Sequence, residues 1–221
     1  RSMLGHGNSH TIPDSFDADL MYLVGLVFGD GDIMVSRRGG NRGHVRISNS
    51  DEELLREAER IVEETFDKSV EIERQDERVP CVRIHSATIA RFFRNLGMES
   101  PKGDLGLDPQ LTTAEHADAF LRGLFDADGS VSARDDGGSS IQFSTISDEF
   151  ARQVQLMLEM YGVRARRRER DRNGQISDPP RESGCRRRRP PRQAVLRSRD
   201  RRPNSSREFR SRTRTQAYRR W

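Results

Sequence analysis

Two aspartates occupy matching places in a repeated phrase. Leu23–Gly31 reads LVGLVFGDG and Leu121–Gly129 reads LRGLFDADG, so Gly25 matches Gly123 and Asp30 matches Asp128 at an offset of 98 residues. Each phrase ends an apolar, helix-periodic run, which places both carboxylates at helix C-termini. There each faces the negative pole of its own helix and, if the helices pair, the other carboxylate. Two such groups repel unless a cation lies between them, so Asp30 and Asp128 predict a divalent metal site. Taken singly, either aspartate is equally explained as the turn residue of an Asp-Gly pair; the repetition is what favours a cation. A calcium loop starting at Asp126 is excluded, because its sixth and twelfth places hold Val131 and Gly137 instead of Gly and Glu.

The carboxylates can meet only if the two helices do. A glycine inside a helix costs about 1 kcal/mol relative to alanine and needs a packing reason. Gly25 and Gly123 supply one by letting the helices approach backbone to backbone. The first helix is expected from about Asp17 to Phe28, and the second from Thr112, where Thr112-x-x-Glu115 reads as a capping box. The copy continues with Ser50-Asp51-Glu52 and Ser147-Asp148-Glu149, at an offset of 97. Before each triplet lies a short strand: Val45 and Ile47 face opposite to His44, Arg46 and Ser48, and Ile141 and Phe143 opposite to Gln142 and Ser144. After each comes a Ser-capped amphipathic helix, with Glu53 completing a capping box in the first. A hairpin turning at Gln75–Arg78 and a helix over Ser86–Asn95, stopped by Gly97, close the first unit. In the second, Val163–Arg170 reads as a third strand with a turn at Arg172-Asn173-Gly174, and there the copy stops.

The fold class is therefore α+β, two pseudo-symmetric αββαββα repeats, the second incomplete. The expected organisation is a linker over 1–16, a first repeat over 17–98, a linker over 99–111, a second repeat over 112–175 and a tail over 176–221. Charge divides along the same line. Residues 1–163 carry 17 Lys and Arg against 29 Asp and Glu, whereas residues 164–221 carry 22 Arg, no Lys and 6 acids. The tail is Arg, Pro and Ser without periodicity, a composition that does not offset chain entropy by apolar burial. It reads either as an out-of-frame translation beyond about Gly174 or as a basic arm that binds phosphate; under both readings no packed structure is expected there. No apolar run approaches the roughly 20 residues that span a bilayer. Cys81 and Cys185 are too few for a disulfide framework, which points to the cytoplasm. The acid excess and the near absence of lysine (Lys68 and Lys102 alone) suit a salt-loaded, halophilic cell. The chain opens with Arg1 ahead of Met3, as a piece of a longer product would.

The paired phrases resemble the LAGLIDADG homing endonuclease family over roughly Asp17–Gly174, and the surrounding wording is most similar to endonuclease domains embedded in archaeal inteins. The resemblance implies paired signature helices under a DNA-binding β-saddle, Mg²⁺ held by Asp30 and Asp128 at two scissile phosphates, and an assisting lysine, for which Lys102 is the candidate. It also implies a monomer acting on double-stranded DNA, in an intein precursor. A twisted β-ribbon fits the major groove, where Arg reads guanine and Gln reads adenine. The outward candidates are Arg37, Arg38, Arg42, Arg46, Arg83 and His85 in the first repeat, and Arg134, Gln142, Ser144, Arg164 and Arg166 in the second. Glu71 and Glu73, on a strand of this face, have no place in that scheme. Two functions compete: a divalent-metal site-specific DNA endonuclease, and a non-catalytic DNA- or RNA-binding protein, such as a splicing helper, on the same scaffold. Self-splicing is not expected from a chain beginning at Arg1 and ending at Trp221.

Overall fold

The computed structural model describes residues 11–36, 42–98, 102–133, 139–170, 176–177 and 193–200, with 170, 176–177 and 193–200 described by backbone alone. Helix α1 (Ala18–Asp30) starts where the Asp17 carboxylate accepts from Leu20 N at 2.8 Å, and it is buried from Leu20 to Gly29. It runs into strand β1 (Gly31–Val35), followed by β2 (Gly43–Ser48), helix α2 (Glu52–Phe66), strands β3 (Ile72–Glu73) and β4 (Cys81–Ile84), and helix α3 (Ala87–Asn95). After a 3₁₀ turn at Lys102–Asp104 and a short helix α4 (Pro109–Thr112), the order begins again. Helix α5 (Ala117–Asp128) leads to strands β5 (Gly129–Ala133) and β6 (Ser139–Thr145), helix α6 (Asp148–Met160), and strands β7 (Ala165–Arg170), β8 (Ile176–Ser177) and β9 (Gln193–Asp200). Each repeat builds one antiparallel sheet, ordered β1-β2-β4-β3 in the first and β5-β6-β9-β7-β8 in the second. The class is α+β with two pseudo-symmetric repeats.

The core lies between these sheets and the helices. In β2, Val45 and Ile47 are fully buried while His44, Arg46 and Ser48 alternate outward. Helix α2 adds Leu54, Leu55, Ala58, Ile61, Val62 and Phe66, an apolar stripe at the helical period. Helix α3 packs across β1 and β2, and a side chain on Gly43 would stand 2.9 Å from Ala87 Cα. Under α3 the cross-strand pair Ile33·Val45 is buried. Its counterpart Val131·Ile141 is not, for Val131 is 42% exposed. No helix equivalent to α3 follows β9 among the described residues.

Three expectations are corrected. Helix α5 begins at Ala117 with no side-chain cap, and Thr112 instead ends α4, whose N-cap is Asp108. Asp108-Pro109 is the stronger helix-start signal, because proline fits the first helical turn; it strands the Thr112-x-x-Glu115 box. The cap of α2 is Asp51, not Ser50; its carboxylate accepts from Glu53 N and Leu54 N, so Glu53 does not complete a box on Ser50. The cap of α6 is Ser147, so the structural offset from β2 onward is 96, not 97. Under that offset the buried Leu54, Leu55, Ala58 and Ile61 fall on Phe150, Ala151, Val154 and Met157. Finally, residues 193–200 are not without structure. Strand β9 pairs on both sides, with β6 from Ser139↔Asp200 to Thr145↔Ala194 and with β7 from Ala165↔Ser198 to Arg170↔Gln193, and it takes the place that β4 holds in the first sheet. A strand inserted between two others has its backbone groups satisfied whatever its side chains, so an arginine-rich composition did not reveal it. The turn at 172–174 lies outside the described residues, although β7 and β8 pair across it.

Candidate functional site

The site is built on the seam between α1 and α5. At Gly25 an added Cβ would stand 2.7 Å from Leu124 N, closer still to Phe120 O, and 3.0 Å from Gly123 Cα. At Gly123 it would stand 3.1 Å from Leu26 N and press on the Tyr22 carbonyl. The two helices therefore touch by backbone at both glycines. Each then ends in the same way. Asp30 and Asp128 are the last helical residues, and the next glycine turns straight into a strand at φ −81°, ψ 156° and φ −80°, ψ 151°. The Gly31 N–H donates to Val27 O and the Gly129 N–H to Phe125 O. A side chain on Gly31 would meet Val27 Cα at 2.7 Å, so glycine follows each aspartate because the strand leaves the helix too sharply for a Cβ.

Two further groups converge on this end. Asn49, buried just beyond β2, donates through Nδ2 to Asp30 Oδ2 while its Oδ1 accepts from Asp51 N at 2.8 Å. Lys102 Nζ donates to Phe28 O at 3.2 Å and to Gly29 O. These are last-turn carbonyls of α1, which a cation is suited to cap. Burial lowers the Lys102 ammonium below the usual lysine range, and Asp128, Asp30 and Asp32 oppose that shift. One ammonium thus senses carboxylates from both repeats. Among the described residues no group of three or more His, Cys, Asp or Glu side chains gathers as a metal cage. The donor set is two carboxylates, a hard-oxygen set that suits a Mg²⁺-type ion, which commonly takes one or two carboxylates and fills its shell with water and phosphate.

Deeper in the seam the pseudo-symmetry is broken. Tyr22 matches Phe120 and Phe28 matches Asp126. On one side the Tyr22 hydroxyl donates to Asp126 Oδ2 at 3.1 Å, with the Arg122 guanidinium 4.5 Å over the Tyr22 ring. On the other, Phe28 and Phe120 meet edge to face at 5.7 Å between centroids. Burial, then the neighbouring Asp126, pushes the Tyr22 hydroxyl up, and burial likewise holds Asp126 above the usual carboxylate range.

The candidate DNA contacts divide. In the first sheet Arg46 and Arg83 are directly opposite on β2 and β4, and His85, just past β4, stands 6.2 Å from His44 between ring centroids. Arg42 is exposed ahead of β2. In the second sheet Gln142 and Ser144 lie on β6, with Gln142 Nε2 donating to Ser132 Oγ at 3.0 Å. Arg166 lies on β7 in the row of Gln142, and Arg164 is exposed just before that strand. Arg37, Arg38 and Arg134 lie outside the described residues. Sequence reasoning did not pick out Asn49, Asp32 or Tyr22. Neither repeated phrase includes Asn49, but its place two residues before a helix cap is a signal for an Asx turn.

The chain spans 14% and 8% of two curated relatives it matches. It is 33% identical over 153 residues, 69% of its own length, to an A-type ATP synthase subunit of Methanopyrus kandleri. It is 26% identical over 157 residues, 70% of its length, to the replication factor C small subunit of Methanocaldococcus jannaschii. Among solved structures, I-DmoI in complex with DNA and Mn superposes with a TM-score of 0.54 at 17% identity, covering 82% of this chain and 89% of that one. Residues 17–97 and 115–201 each match the same domain family, one match per repeat, the second reaching through β9. With its signature helices paired and both repeats matched, the chain belongs to the LAGLIDADG-like domain family.

Proposed function

We propose that the protein is a site-specific endonuclease that cuts both strands of a DNA duplex with a divalent metal ion, Mg²⁺ foremost, acting as a monomer. The observation that carries this reading is the placement of Asp30 and Asp128 at equivalent ends of one helix pair, with Lys102 sensing both. A duplex presents two antiparallel strands related by a local twofold, and a pseudo-twofold pair of carboxylates addresses one phosphate on each. Asp30 and Asp128 would hold the metal, which supplies a lowered pKa to bound water and charge stabilisation at phosphoryl oxygens. Asn49 fixes the Asp30 carboxylate. Lys102, whose ammonium burial holds below the usual lysine range, would hold or release a proton at the reacting phosphate. The outward faces of the two sheets would grip the flanking half-sites.

Two features support association with an intein. The matched relatives are named for unrelated activities, and the chain corresponds to a small part of each, as an inserted element would. The test is incubation of the chain, with Mg²⁺, against the allele of its host gene that lacks the insert. A single double-strand cut is expected. Binding without cutting would favour the non-catalytic reading.

A further inference from the structure

Four charged side chains form a row across the outward face of the first sheet. Asp32 on β1 is paired with Arg46 on β2, and Arg46 with Arg83 on β4, in direct cross-strand register. Arg46 Nη2 lies 3.8 Å from Asp32 Oδ2, and Arg83 Nη2 lies 3.4 Å from Glu73 Oε2 on the far strand, reached diagonally because Glu73 faces Cys81. The order along the row is thus acid, arginine, arginine, acid. Two like charges placed opposite each other on adjacent strands repel, and the outer carboxylates relieve that repulsion while pulling the two guanidinium groups apart. Both Nε atoms are buried, so the stems lie along the sheet and only the terminal nitrogens are presented. A cleft of about 190 Å³ opens beside them, walled by Arg46, Glu73, Arg78 and Arg83 among others.

The row has no net charge, so it is a poor phosphate clamp. It does carry directional donors and acceptors in alternation. In the major groove arginine pairs with guanine O6 and N7, and a carboxylate accepts from the cytosine amino group of the same pair. We infer that Asp32–Arg46 and Glu73–Arg83 read two adjacent G·C base pairs in the half-site of the first repeat, with Asp32 and Glu73 as the residues that aim the arginines. This inference rests on the DNA-binding reading above. It also gives the awkward Glu73 a role. The second repeat is an internal contrast, since the equivalent positions by backbone register are Ser130, Gln142, Arg197 and, on the diagonal, Arg168, without a carboxylate. The G·C step belongs to one half of the target only.

The experiment is selection of bound duplexes from a fully randomised pool by the full chain in Ca²⁺, repeated with Arg83→Gln, Glu73→Gln and Asp32→Asn. The wild type is expected to enrich two adjacent G·C pairs in one half alone. Glu73→Gln is expected to weaken that preference about tenfold at one of the pairs, while binding to random DNA stays equal or rises. An acid that merely repels DNA would instead raise binding to all sequences with discrimination intact, and that result overturns the inference. So does Arg83→Gln if it leaves the preference unchanged and lowers the salt slope by about 0.9, as loss of a phosphate contact does. Bound duplexes lacking a G·C step in either half overturn the inference while sparing the DNA-binding reading. Retention of no duplex by the wild type overturns both.

Discussion

Replacing Gly25 with alanine tests the seam directly. In an exposed helix this substitution would stabilise by about 1 kcal/mol, because alanine loses less backbone entropy. Here the new Cβ would stand 2.7 Å from Leu124 N and 3.0 Å from Gly123 Cα. Carbon contacts settle near 3.5–4.0 Å, so the two backbones must part by about 1 Å. Neither neighbour is a flexible side chain that could swing away. Overpacking of this kind costs about 1–3 kcal/mol, and a backbone-on-backbone clash belongs at the upper end. Subtracting the helical gain leaves a net loss of about 2 kcal/mol, which lowers Tm by about 4–8 °C in a domain of this size. The parting also moves Asp30 relative to Asp128, and a misplacement near 1 Å costs about a hundredfold in rate. Thermal denaturation and single-turnover cleavage of the variant report both effects. Gly123→Ala clashes across the same seam, and one separation relieves both, so the double variant should lose less than the sum of the singles. A Gly25→Ala protein that is more stable than wild type would refute the close approach.

Other outcomes follow from the geometry. Asp30→Asn and Asp128→Asn should each abolish double-strand cleavage in a plasmid assay and leave duplex affinity by gel shift within a few-fold of wild type; equal losses of both would mean structural roles. Tyr22→Phe should cost about 1–2 kcal/mol in denaturant melts by leaving the half-buried Asp126 without its hydroxyl, and a neutral result would assign that bond no weight. His44 should titrate by NMR below the usual value of about 6.5, because burial and then Arg83 lower it while Asp32 opposes. Arg83→Gln should raise that midpoint and Asp32→Asn lower it further. The unfolded chain then binds more protons between the folded midpoint and about 6.5, so the stability linked to His44 grows as pH rises through that window and is absent in His44→Gln.

What the sequence revealed, and what it hid, has a physical pattern. Periodicity along one element survived: the buried stripe of α2, the alternation in β2 and the stop at Gly97, whose φ of 102° asks for glycine. Residue identity at a cap did not, because Ser and Asp cap equally well. The shared Ser-Asp-Glu triplet drew the two repeats into alignment one residue off, with Asp51 and Ser147 as the true equivalents. Local start signals failed at Thr112 because the end of α5 that matters is fixed by its seam with α1 rather than by its own cap. Contacts between distant residues left no local mark. Tyr22 and Asp126 are 104 residues apart, and Lys102 reaches back 73 to Gly29. Glu73 looked misplaced for a DNA face until its partner Arg83 was in view; Glu71 still has no place in that scheme.

The broken symmetry inside the seam constrains how this architecture can be taken apart. A dimer of two first repeats would set Tyr22 against Phe28 twice, leaving two hydroxyls without an acceptor. A dimer of two second repeats would set Phe120 against Asp126 twice, burying two carboxylates on aromatic rings. Only unlike halves give one hydroxyl–carboxylate bond and one ring–ring contact. A descendant split into separate subunits would therefore favour a heterodimer, because each polar residue of the joint depends on its counterpart in the other half. Changing Tyr22 alone strands Asp126, and changing Asp126 alone strands Tyr22. Within one gene the joint thus ties each half to a partner unlike itself.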